Sequence, residues 1–138
     1  MNLYLDTSAL VKLLVREPGS DEASTLAGSA TELTSASIGY VEARSALGRA
    51  AGAGRLSRDR QEAARAELHE IWAEMTIIDL DDELVTAAGD VAETCRLGAG
   101  DAIHLAVALE LDEPELLFAT WDRDLAEAAR EAGLAVAP

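Results

Sequence analysis

The chain has 138 residues, enough for one domain with a buried core, and its 49% hydrophobic and 27% charged residues exclude an intrinsically disordered protein. Its 26 acidic and 11 basic residues give a formal net charge of −15, so long-range electrostatics oppose binding to nucleic acid. No apolar run approaches the roughly 18 residues of a membrane span, and we expect no signal peptide. The single cysteine, Cys95, excludes an internal disulfide and favours a cytoplasmic protein.

Strands and helices are predicted to alternate along the chain. Short apolar or β-branched runs indicate strands, and apolar residues at helical spacing between capping and turn residues indicate helices. In chain order we predict strand 3–5, helix 9–14 capped by Thr7 or Ser8, helix 21–27, strand 32–35, helix 38–51, a helix from Ser57 to 74, strand 76–80, helices 81–95 and 101–111, strand 116–120, helix 123–132 and strand 134–136. This alternation predicts one three-layer α/β domain, residues 1–138, with a mainly parallel central sheet flanked by helices.

Four acidic residues occupy positions that a parallel sheet brings to one edge. Asp6 and Asp122 each follow a predicted strand, Glu42 lies about one turn into a helix, and Asp101 stands at a helix start. Ligands of such sheets bind beyond the carboxyl ends of the strands, where the following helices also begin. We therefore expect the four carboxylates to converge in one pocket.

Clustered carboxylates have a chemical use that isolated ones lack. Without a cation they repel one another and take up protons. Mg²⁺ and Mn²⁺ prefer carboxylate oxygen and water, and a pair of such ions promotes phosphoryl transfer. Singly, each acid also has a simpler interpretation: Asp6 as a helix cap, Glu42 as a surface charge, Asp101 as a cap paired with His104, and Asp122 as a turn residue.

Four segments resemble the motifs of PIN-domain ribonucleases, notably the VapC toxins of toxin–antitoxin pairs, and they occur in the order found in that family. They are Leu5-Asp6-Thr7-Ser8-Ala9-Leu10-Val11-Lys12-Leu13, Val41-Glu42-Ala43-Arg44-Ser45-Ala46-Leu47, Gly100-Asp101-Ala102-Ile103-His104-Leu105-Ala106 and Ala119-Thr120-Trp121-Asp122-Arg123-Asp124-Leu125. Each is a weak motif alone, but four in order across nearly the whole chain are fairly specific.

The resemblance implies a function and a set of site residues. Mg²⁺- or Mn²⁺-dependent cleavage of RNA is implied, as are a homodimer and a cognate VapB-like antitoxin that covers the active site. The implied metal-binding and catalytic acids are Asp6, Glu42, Asp101 and Asp122. The hydroxyls of Thr7 or Ser8 and of Thr120 would orient these acids or bound water. Asp124 is left outside this set.

Two other classes of function are weighed against the nuclease. Another Mg²⁺-dependent phosphotransfer domain fits poorly: a haloacid-dehalogenase-like phosphatase needs Asp-x-Asp where this chain has Asp6-Thr7-Ser8, and a receiver needs a late lysine whereas Lys12 is the only one. A non-catalytic PIN-like binding module would be favoured by loss of one acid, but all four are present.

Several other residues have both a functional and a structural interpretation. Six arginines between positions 44 and 65 could contact a phosphate backbone, but a solvated helical face is favoured. Trp121 could stack on a base, but packing in the core or at its rim is favoured. The two histidines, His69 and His104, lack a second histidine at ligand spacing, so core or surface roles are expected.

Overall fold

A computed structural model describes all residues, 1–138, and confirms the alternation of strands and helices. The strands are β1 (Asn2–Leu5), β2 (Glu32–Ala36), β3 (Thr76–Ile78), β4 (Leu116–Ala119) and β5 (Ala135–Ala137). The helices are α1 (Thr7–Leu14), α2 (Ser20–Ser29), α3 (Ile38–Gly52), α4 (Arg58–Glu74), α5 (Asp82–Cys95), α6 (Ala99–Glu110) and α7 (Arg123–Glu131). No helix is both long and apolar enough to cross a bilayer.

The five strands form one sheet in the order β3-β2-β1-β4-β5, and every pair is parallel. The prediction of a mainly parallel sheet is therefore confirmed, and the sheet contains no antiparallel strand. β1 lies at the centre, where Tyr4 is in register with Thr34 of β2 and Phe118 of β4. Because all strands point the same way, the residues that follow β1 and β4 lie side by side at one edge.

Alternate side chains of β1 face two different helical layers. Tyr4 stacks on Phe118, with ring centroids 5.2 Å apart, in a core that includes Leu105 of α6 and Leu125 of α7. On the other face, Leu3 and Leu5 belong to a cluster that includes Leu10 of α1. The sheet is thus covered on both faces, as the three-layer prediction requires.

Helices α3 and α4 form a hairpin beside α1. Buried residues of the three helices make a separate apolar cluster, which consists of Leu14, Ala43, Leu47, Ala64 and Leu68. Ser57 caps α4 as predicted, because its side chain accepts a hydrogen bond from the Arg60 N–H at 3.2 Å. This packing fixes the orientation of α3, the helix that carries Glu42.

Candidate active site

Asp6 both caps a helix and stands at the carboxyl end of the central strand. Its Oδ1 accepts hydrogen bonds from the Ala9 N–H at 2.8 Å and the Ser8 hydroxyl at 2.7 Å, and its Oδ2 accepts one from the Thr120 hydroxyl at 2.6 Å. The prediction that Thr7 or Ser8 caps α1 is therefore wrong: Asp6 is the cap. Burial raises the pKa of Asp6, and the three hydrogen bonds oppose that rise.

The same hydroxyl groups connect Asp6 to the end of β4. Thr120 Oγ1 accepts the Asp122 N–H at 3.1 Å, and Ser8 Oγ accepts the Trp121 N–H at 2.8 Å. Asp122 itself caps α7 by accepting the Leu125 N–H at 2.9 Å. Capping a helix and a place in the candidate site are thus compatible for both aspartates. The hydroxyls of Ser8 and Thr120 both donate to Asp6, which is the contact that their predicted orienting role requires.

Glu42 is held by a second polar network. It includes Thr7, which was predicted, and also His104 and Tyr4, to which the sequence analysis gave no role in the site. Its Oε1 accepts hydrogen bonds from the Thr7 hydroxyl at 2.7 Å and from His104 Nε2 at 2.8 Å. Because burial raises the pKa of Glu42 while the hydrogen bonds from His104 and Thr7 lower it more, its net pKa lies below the ordinary value. His104, only 1% exposed, also lies 3.0 Å from the Tyr4 hydroxyl through Nδ1.

This network fixes the proton on one nitrogen of His104. An ionised carboxylate can only accept hydrogen bonds, so Nε2 carries the proton and donates to Glu42. Nδ1 lies within hydrogen-bond distance of the Tyr4 hydroxyl, which stays protonated because burial raises its pKa. His104 therefore orients Glu42 from within the core, in agreement with the expectation that it is a core residue.

Asp101 differs from the other three acids because none of the hydrogen bonds in the structure reaches its carboxylate. It lies in the first turn of α6, whose N-cap is Gly98, so the alternative of a cap paired with His104 is wrong. Burial, followed by the negative charges of Asp122 and Asp6, raises its pKa from 3.8 to about 6, and Glu42 adds to the rise. The other three acids therefore all lie within electrostatic reach of Asp101, and the four are here called the carboxylate cluster.

Gly100 lets α6 approach Glu42 closely. A Cβ atom at this position would overlap Glu42 Oε2, whereas one at Gly98 would meet nothing within 4 Å. The residue before Asp101 thus has to be small for the Glu42 carboxylate to keep its place. Nothing in the sequence distinguished Gly100 from Gly98.

The donor set of the carboxylate cluster suits a hard divalent cation. No three of the His, Cys, Asp and Glu side chains are close enough together to hold a metal ion between them. Mg²⁺ does not need such a cage, because it keeps several waters and is commonly bound by one or two carboxylates and substrate phosphates. Burial and then the negative charges of the other three acids raise the pKa of Asp101, and a bound cation would relieve that repulsion.

Trp121 and Asp124 follow β4 near the cluster, and the contacts of their side chains are those of packing and of a surface ion pair. Trp121 packs against the apolar cluster around β1 and α1, and the Lys12 ammonium lies 5.5 Å from its ring centroid. Asp124 is largely exposed and lies 3.6 Å from the Arg123 guanidinium. Neither side chain takes part in the hydrogen-bond networks that hold Asp6 and Glu42; Trp121 contributes only its backbone N–H, which donates to Ser8.

Comparisons with known proteins agree with this geometry. The family model described as PIN domain matches residues 3–131. The chain is 38% identical to Ribonuclease VapC45 of Mycobacterium tuberculosis, covering 99% of this chain and 94% of the relative. The structure of PAE2754 from Pyrobaculum aerophilum superposes with a TM-score of 0.70 at 24% identity, covering 99% and 92%. VapBC2 of Rickettsia felis, bound to a promoter DNA fragment, gives 0.68 at 17% identity, covering 99% and 98%. The chain belongs to the PIN-domain family and is of the VapC type.

Proposed function

We propose that this protein is a metal-dependent endoribonuclease and the toxin of a toxin–antitoxin pair. The observation that carries the proposal is the carboxylate cluster, four acids from distant parts of the chain whose charges act on one another at one edge of the sheet. The VapC relatives named as ribonucleases support RNA as the substrate. The reaction would be hydrolysis of a phosphodiester bond.

Asp6, Glu42, Asp101 and Asp122 would hold Mg²⁺ or Mn²⁺. When bound, such an ion lowers the pKa of its water and neutralises charge on the phosphate. Thr120 and Ser8 keep Asp6 in one orientation, and Thr7 and His104 do the same for Glu42. Fixed ligands of this kind lose little freedom when they bind.

Asp101 is suited to a different task. Its oxygens have no partner within the protein, and with a pKa of about 6 it is largely ionised at neutral pH yet more basic than an ordinary aspartate. Such a carboxylate can ligate a cation or accept a proton from water. Both roles need the open position that Asp101 has at the start of α6.

The proposal includes partners. A cognate VapB-like antitoxin would cover the site, and its inserted segment would be basic because the cluster is acidic. A homodimer acting on RNA in the cytoplasm completes the proposal. The VapBC2 neighbour supports an antitoxin partner, and the net charge of −15 fits a basic antitoxin better than an acidic one.

Cleavage and metal binding can be tested together. We expect endonucleolytic cleavage of RNA that requires Mg²⁺ or Mn²⁺ and stops with a chelator. Mn²⁺ should also raise the melting temperature, and Asp6→Asn should remove both effects. Asp112→Asn is a matched control, since Asp112 is exposed and its φ of 46° suits asparagine equally well. A protein stabilised by Mn²⁺ that never cuts RNA would support metal binding and contradict the nuclease.

A further inference from the structure

We propose that the seam between α3 and α4 binds a single-stranded segment of RNA beside the carboxylate cluster. The residues of this seam, called the basic seam below, are Tyr40, Arg44, Arg58, Arg65 and His69. The inference rests on the proposed nuclease function and adds to it the surface that positions the substrate.

Three arginines converge on one cleft although the protein is strongly acidic. Arg44, Arg58 and Arg65 line a cleft of about 220 Å³ together with Leu47, Gln61 and Glu62. Only Arg58 has an acidic partner, Glu62 at 3.5 Å, so the cleft keeps a surplus of positive charge. Exposed guanidinium groups without carboxylate partners are suited to phosphate groups, which they bind in a bidentate manner.

Aromatic rings continue the cleft toward the start of α3. The rings of Tyr40 and His69 are stacked, with centroids 5.7 Å apart and an interplanar angle of 23°. The Arg44 guanidinium lies 5.7 Å from the centroid of the Tyr40 ring and donates to its hydroxyl at 2.9 Å. Rings that alternate with arginines are the surface on which single-stranded RNA stacks its bases and neutralises its backbone.

The location of the basic seam connects it to the site. Tyr40 lies in the first turn of α3, two residues before Glu42, on the helix that begins just after β2. Residues two apart in a helix point to roughly opposite sides, so an RNA strand lying on the seam would reach the carboxylates by passing around the amino-terminal end of α3, which is about 10 Å wide with its side chains. In this proposal the seam holds the RNA and the carboxylate cluster cuts it.

All six arginines of the run are solvent-exposed, as expected, but they divide into two groups. Arg49, Arg55 and Arg60 are exposed and lie outside the cleft. Arg44, Arg58 and Arg65 instead share one cleft across two helices. The net charge of −15 repels RNA at long range, but at physiological salt charges more than ~8 Å from the RNA are largely screened. Arginines of the second group that touch the phosphates act at contact distance, where screening is weak, and can therefore outweigh that repulsion.

Binding of a fluorescent, unstructured RNA oligonucleotide would test the seam. The measurement uses full-length protein that carries Asp101→Asn and is kept in Mg²⁺, so that the RNA stays uncut. Adding Arg44→Gln and Arg65→Gln should weaken binding about tenfold and reduce the slope of log K against log salt by about 0.7 per arginine. The matched control is the pair Arg49→Gln and Arg60→Gln, with the same charge change on the same two helices, for which we expect less than a twofold effect.

The aromatic part has its own pair of variants. Tyr40→Leu should weaken RNA binding fivefold or more because a stacking ring is lost, and Tyr40→Phe should have little effect. With Asp101 intact, the Arg44 and Arg65 pair should raise KM for RNA cleavage and leave kcat within about twofold.

Three results would overturn the seam proposal: equal losses for the two arginine pairs, no loss for either pair, or an oligoglutamate peptide that binds the seam as tightly as the RNA. The last result would indicate an acidic protein partner in place of RNA. A wild-type protein that binds RNA through the seam but never cuts it would contradict the proposed function alone.

Discussion

Asp6 and Asp101 belong to the same carboxylate cluster but are held in opposite ways. Asp6 is 2% exposed and accepts three hydrogen bonds, one from the backbone and two from hydroxyl groups. Asp101 is half-buried, accepts none, and carries a pKa raised to about 6 by burial and by its acidic neighbours. One acid is part of the fold, and the other is a group that the fold leaves unpaired.

The difference indicates that Asp6 contributes to the stability of the fold, whereas Asp101 is available to bind a cation or a proton. A carboxylate whose lone pairs are occupied by the protein supports the structure whether or not a ligand is present. A carboxylate under repulsion and without partners costs stability until a cation or a proton joins it. The predictions below test whether the two acids separate in this way.

The largest expected effect is on activity and is common to both acids. Asp6→Asn and Asp101→Asn should each reduce the rate of RNA cleavage by ~100-fold or more, because several kcal/mol of charge stabilisation depend on a metal ligand. Gel-based cleavage of labelled RNA with Mn²⁺ measures the rate, with Asp112→Asn as the unaffected control. Cleavage by Asp101→Asn at the wild-type rate would refute the site assignment.

Substitution of the two acids by alanine should have different effects on the free energy of unfolding. Asp6→Ala removes a helix cap and leaves buried hydroxyls without an acceptor, so the free energy of unfolding should fall by about 2–4 kcal/mol. Asp101→Ala removes no hydrogen bond and relieves repulsion, so its free energy of unfolding at neutral pH should not fall and should rise above that of wild type. Urea unfolding without metal gives both values. Equal losses would show that the contrast between the two acids is wrong.

Gly100→Ala should affect activity without affecting stability. The added methyl displaces the Glu42 carboxylate, and a shift of about 1 Å in a reacting group can cost up to ~100-fold, so we expect about a tenfold slower cleavage. Stability should not fall, since alanine favours a helix by up to about 1 kcal/mol over glycine. Gly98→Ala, where the methyl meets open space, is the matched control. Normal activity of Gly100→Ala would mean that Glu42 tolerates displacement.

The smallest expected effect is a pH dependence of a few degrees in melting temperature. The pKa of Asp101 is raised from 3.8 to about 6 in the folded protein, so the folded state binds the proton more tightly than the unfolded state. The free energy of unfolding therefore decreases as pH rises between about 4 and 6 and stays lower above that range. Asp101→Asn lacks the contribution of Asp101 to this decrease, so in metal-free buffer it should gain on wild type over that range. A constant difference between the two proteins would contradict the raised pKa.

The sequence was sufficient for the elements and the candidate acids, because both depend on local patterns. Strands such as Leu116–Ala119 follow from short apolar runs, and Asp6 and Asp122 follow from their place directly after strands. The cap of α1 was predicted wrongly because Asp6, Thr7 and Ser8 are all good caps locally. The choice among them depends on Thr120, which lies 114 positions away.

Contacts between distant residues account for what was missed. Tyr4 and His104 are 100 positions apart, and neither shows the spacing of a ligand or a catalytic pair. They are in contact because α6 packs on the face of the sheet to which Tyr4 of β1 points. Local periodicity predicts the strand and the helix but does not predict which helix covers which face. The arginines of the basic seam were visible as a run, but their division between two surfaces required the α3–α4 hairpin.

The hydrogen bond from Thr120 to Asp6 also bears on how the protein is made. A nascent chain that ends before β4 already contains Asp6 and one of its hydroxyl donors, Ser8. It does not yet contain the other donor, Thr120, or Asp122. The acidic quartet is complete only after β4 has joined β1 at the centre of the sheet. A nascent chain that has not yet formed β4 therefore lacks both Asp122 and one of the three hydrogen bonds that hold Asp6.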